Sequence, residues 1–257
     1  MTFQLAASAE MLFTKLPFVQ RVEQIHARGF QVEIWNWTTK NLQELAATGA
    51  TFSSMTGYIE GDLLTDDGVA RFLATAEESL AAAAIIDAPR LNVHGTGLDA
   101  NGQAIIQRSE VSPREWVKAV DTLKRLADLG AKHNRVFTLE NLNTLVDHPG
   151  TPFAKAFETI ALVSAVDNPH LRLNLDLYHA QIGEGNLVEL VRDAMPWIGE
   201  IQVADVPGRC EPGTGEINYP RIAQELRALG YTGVVGLEGW ASAESELALS
   251  RFSQTFA

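Results

Sequence analysis

Short β-type runs alternate with longer stretches of helical period along almost the whole chain. Eight runs predict strands at Phe3–Ala7, Phe30–Ile34, Ala50–Met55, Arg90–His94, Val136–Glu140, Leu171–Asp176, Glu200–Ala204 and Val234–Glu238. The stretches between them predict helices near Phe18–Arg28, Leu42–Thr48, Val69–Ile86, Pro113–His133, Phe153–Val166, Leu187–Ala194, Tyr219–Leu229 and Glu244–Phe252. This alternation predicts right-handed parallel βαβ units.

Eight such units fit a closed (β/α)8 barrel better than an open doubly wound sheet. We therefore predict an α/β protein with a single TIM-barrel domain over residues 1–257, a length close to the ~250 residues typical of such barrels. A dinucleotide-binding sheet would need a glycine-rich turn after its first strand, where residues 6–10 read AASAE. The GxG at residues 95–97 follows the fourth strand, so this alternative is discounted.

Local signals support several helix ends. Ser112-Pro113 opens one helix, and Gly29, Gly130 and Gly230 follow the ends of others. Proline in the first turn and glycine after the last are the residues preferred at these positions.

Charge and cysteine content narrow the choice of partners. The formal net charge of −12 opposes binding to nucleic acid or anionic membranes, but one local Arg is enough to bind a small anion. The single cysteine, Cys210, excludes an internal disulfide and fits a reducing compartment. Residues 1–5 lack a signal-peptide pattern, and no apolar run reaches the ~18 residues that span a bilayer, so we predict a cytoplasmic protein.

Acidic and other polar side chains lie where the later predicted strands end. They are His94 on the fourth strand, Glu140 on the fifth, Asp176 with His179 just beyond on the sixth, Gln202 on the seventh and Glu238 on the eighth. Catalytic groups of (β/α)8 enzymes lie at these C-terminal ends. A carboxylate next to buried leucines is costly unless a cation compensates it, and oxygen donors of this kind suit Mg²⁺ or Mn²⁺.

Each of these residues also has an ordinary structural explanation. A single acid at a strand end often caps a helix or pairs with an Arg, and His94 and His179 are either substrate contacts or hydrogen-bonded interior histidines. Trp35, after the second strand, either forms a wall of the pocket or packs under a loop. The long polar loop at 95–113 is either an active-site loop or a surface excursion.

The segment 209–219 follows the seventh strand and is fixed by two glycines and a proline. Such a loop can hold Arg209 over the barrel mouth, where its guanidinium binds an anionic oxygen. Cys210 is interpreted as a bystander, because no His lies near it in the sequence.

Residues 211–219, EPGTGEINY, strongly resemble a loop of the hydroxypyruvate isomerases, which belong to the xylose-isomerase-like barrel superfamily together with the ketose 3-epimerases. The similarity extends to LENLN at 139–143, LDLYH at 175–179, IQVAD at 201–205 and GLE at 236–238. It covers the C-terminal half in register. The first half matches in architecture and in the opening residues Ser8, Met11, Leu12 and Phe13.

The resemblance implies a role for each strand-end residue. Glu140, Asp176, Gln202 and Glu238 would be the ligands of a divalent metal, Mg²⁺ or Mn²⁺. Glu140 and Glu238 would also transfer the proton. His179 and Arg209 would bind substrate oxygens, and Glu211 would hold or polarise that region. The implied reaction converts hydroxypyruvate to tartronate semialdehyde through an enediolate.

Several departures leave the substrate open. Residues 57–64, 141–142 and 239–240 differ from the family pattern in loops that face the substrate. The alternatives are a ketose 3-epimerase, against which Gln202 argues because those enzymes usually have His there, and a 2-oxo-tetronate isomerase. A catalytically silent sugar-binding barrel is the alternative of another class. Whether the chain forms a homo-oligomer is also open.

Overall fold

The eight predicted strands form a closed parallel barrel in the computed structural model, which describes residues 2–99 and 101–256. They are β1 (Gln4–Ser8), β2 (Gln31–Ile34), β3 (Phe52–Thr56), β4 (Arg90–Val93), β5 (Val136–Glu140), β6 (Leu171–Asp176), β7 (Ile198–Val203) and β8 (Val234–Leu237). Each strand pairs with its neighbour in sequence, and β8 pairs with β1. The predicted (β/α)8 barrel is confirmed. Met1, Ala100 and Ala257 lie outside the described residues, so the domain extent of 1–257 stays a prediction.

Helices connect the strands and pack against them and against one another. They are α1 (Phe18–His26), α2 (Leu42–Ala47), α3 (Asp66–Ile86), α4 (Pro113–His133), α5 (Ala156–Val166), α6 (Leu177–Gly183), α7 (Leu187–Ala194), α8 (Tyr219–Ala228) and α9 (Ser245–Phe256). In the described part of the chain, no helix has the length and apolarity needed to cross a bilayer.

Helix α6 is the element that the sequence pattern did not predict. It begins directly after β6, so no turn residues separate strand from helix. Asp176 ends the strand and also caps the helix, because its Oδ1 accepts a hydrogen bond from the backbone amide of His179 at 2.8 Å. The cap therefore places Asp176 and His179 beside each other at the barrel mouth.

Other differences lie at helix ends. Helix α3 begins at Asp66 rather than Val69, because Thr65 Oγ1 accepts from the amide of Gly68 at 3.0 Å and caps the first turn. Gly130 lies inside α4 and does not follow its end. A Cβ at this position would lie 2.8 Å from the carbonyl oxygen of Arg135, so close packing explains the glycine.

The two faces of each strand have different environments. Toward the helices, the strands present fully buried aliphatic side chains, among them Leu91, Leu139, Leu173 and Leu175. Burying each such side chain contributes about 1.5–3 kcal/mol to folding. This apolar layer between barrel and helices stabilises the fold, and it leaves the inner face of the strands free for polar residues.

The interior of the barrel is polar and hydrogen-bonded. Asn174 Nδ2 donates to Gln202 Oε1 at 2.6 Å and to Asn92 Oδ1 at 3.3 Å, which links β4, β6 and β7. Gln202 Nε2 in turn donates to Glu33 Oε2 at 3.1 Å. Gly236 leaves room for this carboxylate, since a Cβ there would lie 2.0 Å from Glu33 Oε1. Burial raises the pKa of Glu33 well above its usual value, and the charges of Glu200 and Glu238 raise it further.

The fourth helix provides a test of the local signals. Ser112 Oγ accepts from the amide of Glu115, and Glu115 Oε2 accepts from the amide of Ser112 at 2.8 Å. Ser112→Ala should lower the free energy of unfolding by about 1 kcal/mol, because the helix loses its N-cap. The measurement is urea unfolding followed by circular dichroism. Ser164→Ala, which removes a hydroxyl that donates to Ala161 within α5, is the control; equal losses in both variants would contradict the capping role.

Candidate active site

A cavity of about 480 Å³ opens at the C-terminal ends of the strands. Side chains from the strand ends and from the loops that follow them line it. They include Trp35, Thr56, Tyr58, Asn92, His94, Leu98, Asp99, Glu140, Leu142, His148, His179, Arg209 and Glu238. Leu98 and Asp99 belong to the long loop at 95–113, so this loop contributes to the cavity. This position agrees with the interpretation of the segment as an active-site loop.

Three buried carboxylates and a histidine meet at this cavity. One ligand atom from each of Glu140, Asp176, His179 and Glu238 lies within 4.8 Å of the others. Burial raises the pKa of Glu140 well above its usual value, and the charge of Glu238 raises it further. Burial and the charge of Glu140 raise the pKa of Asp176 in the same way. The cluster is therefore one that could hold a metal ion.

The carboxylate of Glu140 is oriented by two residues of β4 and the segment after it. Its Oε2 accepts a hydrogen bond from Asn92 Nδ2 and lies 2.9 Å from His94 Nε2. Tyr58 holds the other side of the imidazole, with its hydroxyl 3.2 Å from His94 Nδ1. Burial lowers the pKa of His94 to about 4, although Glu238 opposes the shift, so the ring is neutral near pH 7.

The carboxylate of Glu238 has a different pair of partners. Trp35 Nε1 donates to Oε1 at 2.7 Å, and Arg209 Nη2 donates to Oε2 at 2.5 Å. The guanidinium of Arg209 also lies over the ring of Tyr178, 5.0 Å from its centroid. Burial alone would lower the pKa of Arg209, but the surrounding carboxylates, Glu238 first, raise it above its usual value. Arg209 is therefore a permanent cation beside the three acids.

His179 is held by the segment after β5. Its Nδ1 lies 2.7 Å from Asn143 Nδ2, and Asn143 also donates to Asp147 Oδ2 at 2.6 Å. The hydroxyl of Tyr178 donates to the same Asp147 oxygen at 3.0 Å. Burial and the charge of Arg209 lower the pKa of His179 well below its usual value. His148 lies nearby, with ring centroids 5.2 Å apart.

The remaining sequence-predicted residues lie in two different settings. Gln202 is buried beside Asp176 in the β6–β7 register, and its amide is held between Asn174 and Glu33. Glu211 does not line the cavity. Its carboxylate instead accepts hydrogen bonds from the amide and hydroxyl of Ser242 and from Arg251 Nη1 at 2.7 Å. Glu211 thus ties the loop after β7 to the segment that follows β8.

Asp205 organises the same loop from inside. Its Oδ1 accepts from the backbone amides of Val206 and Ile217, and its Oδ2 accepts from the amide of Gly213 at 2.8 Å. The loop closes on this buried carboxylate and brings Arg209 to the cavity. The predicted placement of Arg209 over the mouth therefore agrees with the structure.

Some residues of the site and its surroundings were missed in the sequence. Asn92 lies two residues before His94, so strand periodicity places both on the inner face, and this signal was available. Tyr58, Asn143 and His148 come from loops, where no periodicity indicates direction. A long-range contact alone brings each of them to the site.

A second cleft of about 490 Å³ lies outside the barrel between α3 and α4. Its lining is charged, but Lys118 in it is already paired with Asp66 of the same cleft. The carboxylates and histidines described above converge at the barrel mouth instead. We therefore take the mouth as the candidate active site.

A closed (β/α)8 barrel with carboxylates and histidines at its C-terminal mouth defines a class of enzymes. The family described as xylose isomerase-like TIM barrel matches residues 10–253. A 2-oxo-tetronate isomerase from Pectobacterium atrosepticum is 29% identical over 245 residues, which cover 91% of this chain and 90% of that protein. A putative hydroxypyruvate isomerase from Mus musculus is 28% identical over 249 residues, which cover 91% and 88%.

A solved structure also matches along the full length. It is described as an AP endonuclease, family 2, from Brucella melitensis, with a TM-score of 0.86, 25% sequence identity and 100% coverage of both chains. The chain belongs to the xylose isomerase-like TIM barrel family. Its relatives that are named isomerases make it an enzyme of the isomerase type.

The hydrogen bonds of the Glu211 carboxylate predict that the free energy of unfolding depends on pH. Burial raises the pKa of Glu211, but the hydrogen bonds from Ser242 and Arg251 outweigh it and hold this pKa below its usual value. A lowered pKa in the folded state stabilises the protein above the unfolded pKa, and this contribution is lost as the pH falls through the folded pKa. Glu211→Gln should therefore lose about 1–3 kcal/mol of unfolding free energy at pH 7.

The measurement is chemical unfolding of Glu211→Gln and wild type between pH 3 and pH 8, roughly the span over which a carboxyl group titrates. The difference should shrink below about pH 4. Glu216→Gln, on the same loop, is the matched control and should change stability by less than about 0.5 kcal/mol. A difference that does not vary with pH would contradict the charge-assisted contact.

Proposed function

We propose that this chain is a metal-dependent isomerase of a small 2-oxo acid that carries a hydroxyl group on the neighbouring carbon. Hydroxypyruvate, converted to tartronate semialdehyde, is the substrate that we favour. The observation that carries the proposal is the pair Glu140 and Glu238, which share one cluster but are oriented by separate partners. Such a reaction removes a proton next to a carbonyl and returns a proton to the carbonyl carbon.

The donor set at the mouth fits a divalent cation. Three buried carboxylates lie close together there; burial raises the pKa values of Glu140 and Asp176, and repulsion between the carboxylates raises them further. We assign Glu140, Asp176, Gln202 and Glu238 as the ligands, a set of oxygen donors suited to Mg²⁺ or Mn²⁺. When bound, the cation supplies Lewis acidity that makes the C–H bond next to the carbonyl more acidic.

The two glutamates are the proton-transfer pair of this proposal. Glu140 is buried among neutral partners, Asn92 and His94, which suits a carboxyl group that takes up a proton from carbon. Glu238 receives hydrogen bonds on both oxygens, from Trp35 and Arg209, which fix the direction of its carboxylate. A carboxylate with a fixed orientation loses less entropy when it reaches the reactive geometry.

Arg209 and the histidines serve the oxygens of the substrate. Arg209 is the cation at the cavity, and a planar guanidinium matches a substrate carboxylate. His179 and His94 line the same space. In this assignment they stabilise the carbonyl and hydroxyl oxygens, between which a proton must also move during the isomerisation.

The cavity volume favours a second candidate substrate. Hydroxypyruvate is one of the smallest hydroxylated oxo acids, and a 480 Å³ cavity is larger than it requires. A 2-oxo-tetronate carries one more hydroxylated carbon and uses the same chemistry. The relative from Pectobacterium atrosepticum is named for that substrate. Asp99 and His148, which line the same cavity, would then face the additional hydroxyl group.

The charge of the site argues against a nuclease. A phosphodiester substrate needs a basic groove, whereas Asp99, Glu140 and Glu238 line this cavity and the whole chain carries a net charge of −12. The name of the Brucella melitensis protein therefore supports the fold of this chain and not its reaction.

Removal of either glutamate should stop the reaction. Glu140→Gln and Glu238→Gln should each lower kcat by roughly 10²–10⁴-fold, because amides cannot transfer the proton. The measurement is steady-state turnover, with circular dichroism to establish that the fold is retained. Glu60→Gln, an exposed residue after β3, is the control and should keep the wild-type rate. A wild-type rate in either cluster variant would refute the two-glutamate mechanism.

Metal removal tests the proposal as a whole. Protein stripped with a chelator should lose turnover of hydroxypyruvate and recover it with Mn²⁺ or Mg²⁺. A parallel panel of 2-oxo-tetronate and ketoses identifies the substrate. Turnover of a panel member other than hydroxypyruvate would keep the mechanism and reassign the substrate. If the protein neither binds metal nor turns over any substrate of the panel, the silent sugar-binding barrel is favoured.

A further inference from the structure

The amide of Asn143 has an orientation that the backbone fixes. Its Oδ1 accepts hydrogen bonds from the backbone amides of Val146 at 2.9 Å and Asp147 at 3.1 Å. An amide nitrogen in that position would face two N–H donors, so the oxygen must occupy it. The Nδ2 group therefore points the other way, toward Asp147 Oδ2 and His179 Nδ1.

This orientation decides which nitrogen of His179 carries the hydrogen. Asn143 Nδ2 is a donor only, and it lies 2.7 Å from His179 Nδ1. With a hydrogen on Nδ1, two N–H groups would meet at that distance. Nδ1 must therefore be the acceptor, and a neutral imidazole then carries its hydrogen on Nε2.

The Nε2 atom of His179 faces the carboxylate cluster. It lies 4.0 Å from Glu140 Oε1 and 3.9 Å from Asp176 Oδ2. His179 is fully buried, and its Nε2 has no hydrogen-bond partner among residues 2–99 and 101–256. A buried N–H group that is left unsatisfied costs about 1–3 kcal/mol. An acceptor supplied by a bound molecule would satisfy it.

We propose that Asn143 is a positioning residue that locks His179 in the Nε2–H tautomer and so makes it a hydrogen-bond donor to a substrate oxygen. An imidazole nitrogen must be free of hydrogen to bind a metal. The tautomer therefore keeps His179 out of the metal ligand set, although its ring lies within the cluster. This inference deepens the proposed function and rests on it for the identity of the acceptor.

The Nε2–H group of His179 would act on the substrate oxygen at which negative charge develops. During isomerisation, the carbonyl oxygen of the substrate gains negative charge, and a preorganised N–H group stabilises that charge without reorganisation. The Asp147 carboxylate accepts a hydrogen bond from the same Nδ2 group of Asn143, and Tyr178 donates to that carboxylate. Tyr178, Asp147 and Asn143 thus form a chain of hydrogen bonds that makes His179 Nδ1 an acceptor.

The first experiment observes the tautomer directly. Ring ¹⁵N signals are recorded on metal-free protein labelled in its six histidines, with the His179→Gln variant used to assign the signal that disappears. We expect His179 to show a protonated Nε2 and a bare Nδ1. A protonated Nδ1, in either the other tautomer or the imidazolium, would overturn the proposal. This measurement needs no substrate, so it is independent of the proposed reaction.

The second experiment reverses the direction of the hydrogen bond between residue 143 and His179 without a change in net charge. In the double variant Asn143→Asp with Asp147→Asn, the carboxylate at position 143 accepts from the same backbone amides and from a His179 Nδ1–H. The ¹⁵N pattern of His179 should invert. Because one donor to the reacting oxygen is lost, kcat should fall roughly 100-fold or more. The bare Nε2 should also tighten Zn²⁺ binding, on the order of tenfold, because imidazole suits Zn²⁺.

Asp147→Asn alone is the matched control. It leaves Asn143 as the donor to His179 Nδ1, so the tautomer of wild type is expected. If the double variant does not fold, Asn143→Ala, which removes the donor, should yield a mixture of tautomers and an intermediate kcat. An inverted tautomer with wild-type kcat, or with unchanged Zn²⁺ affinity, would refute the role. If no substrate turns over in wild type, the proposed function fails while the tautomer assignment stands on the ¹⁵N data.

Discussion

Crowding of buried carboxylates at one end of the barrel is the constraint on which the rest of the site depends. Glu140, Asp176 and Glu238 share a cluster in which burial and mutual repulsion raise the pKa values of Glu140 and Asp176. Such a cluster is stable only with positive charge or hydrogen-bond donors around it. Arg209 supplies the charge, and Asn92, Trp35 and the cap at α6 supply the donors. The same arrangement gives the mouth a donor set that could hold a metal ion.

The polar interior of the barrel keeps those groups in fixed directions. Amide side chains donate across the strands, from Gln202 to Glu33, from Asn174 to Gln202 and Asn92, and from Asn92 to Glu140. Because each amide has one donor and one acceptor end, a reversed amide would break two hydrogen bonds at once. The apolar layer between strands and helices provides the stability that this interior does not, so the barrel can carry a polar core next to its reactive groups.

The loops complete the site by contacts that are distant in sequence. Asp205 closes the segment after β7 on itself, and Glu211 fastens it to Ser242 and Arg251, so Arg209 is held at the barrel mouth. The glutamate at 211 shows that a residue in the most distinctive sequence motif can hold the loop in place.

The sequence alone determined the barrel, because strand and helix periodicities repeat along the chain and right-handed crossovers leave few ways to join eight units. It also determined the strand-end acids Glu140, Asp176 and Glu238, since the period of a strand and its end point fix where a side chain faces. Local pattern missed α6, which follows β6 without turn residues. It also could not assign the lining residues Tyr58 and His148, or Asn143 behind His179, because their loops have no period. Only the tertiary structure decided the partners of Glu211 and the hydrogen-bond polarity at His179, because those depend on atoms that the chain brings together across the barrel.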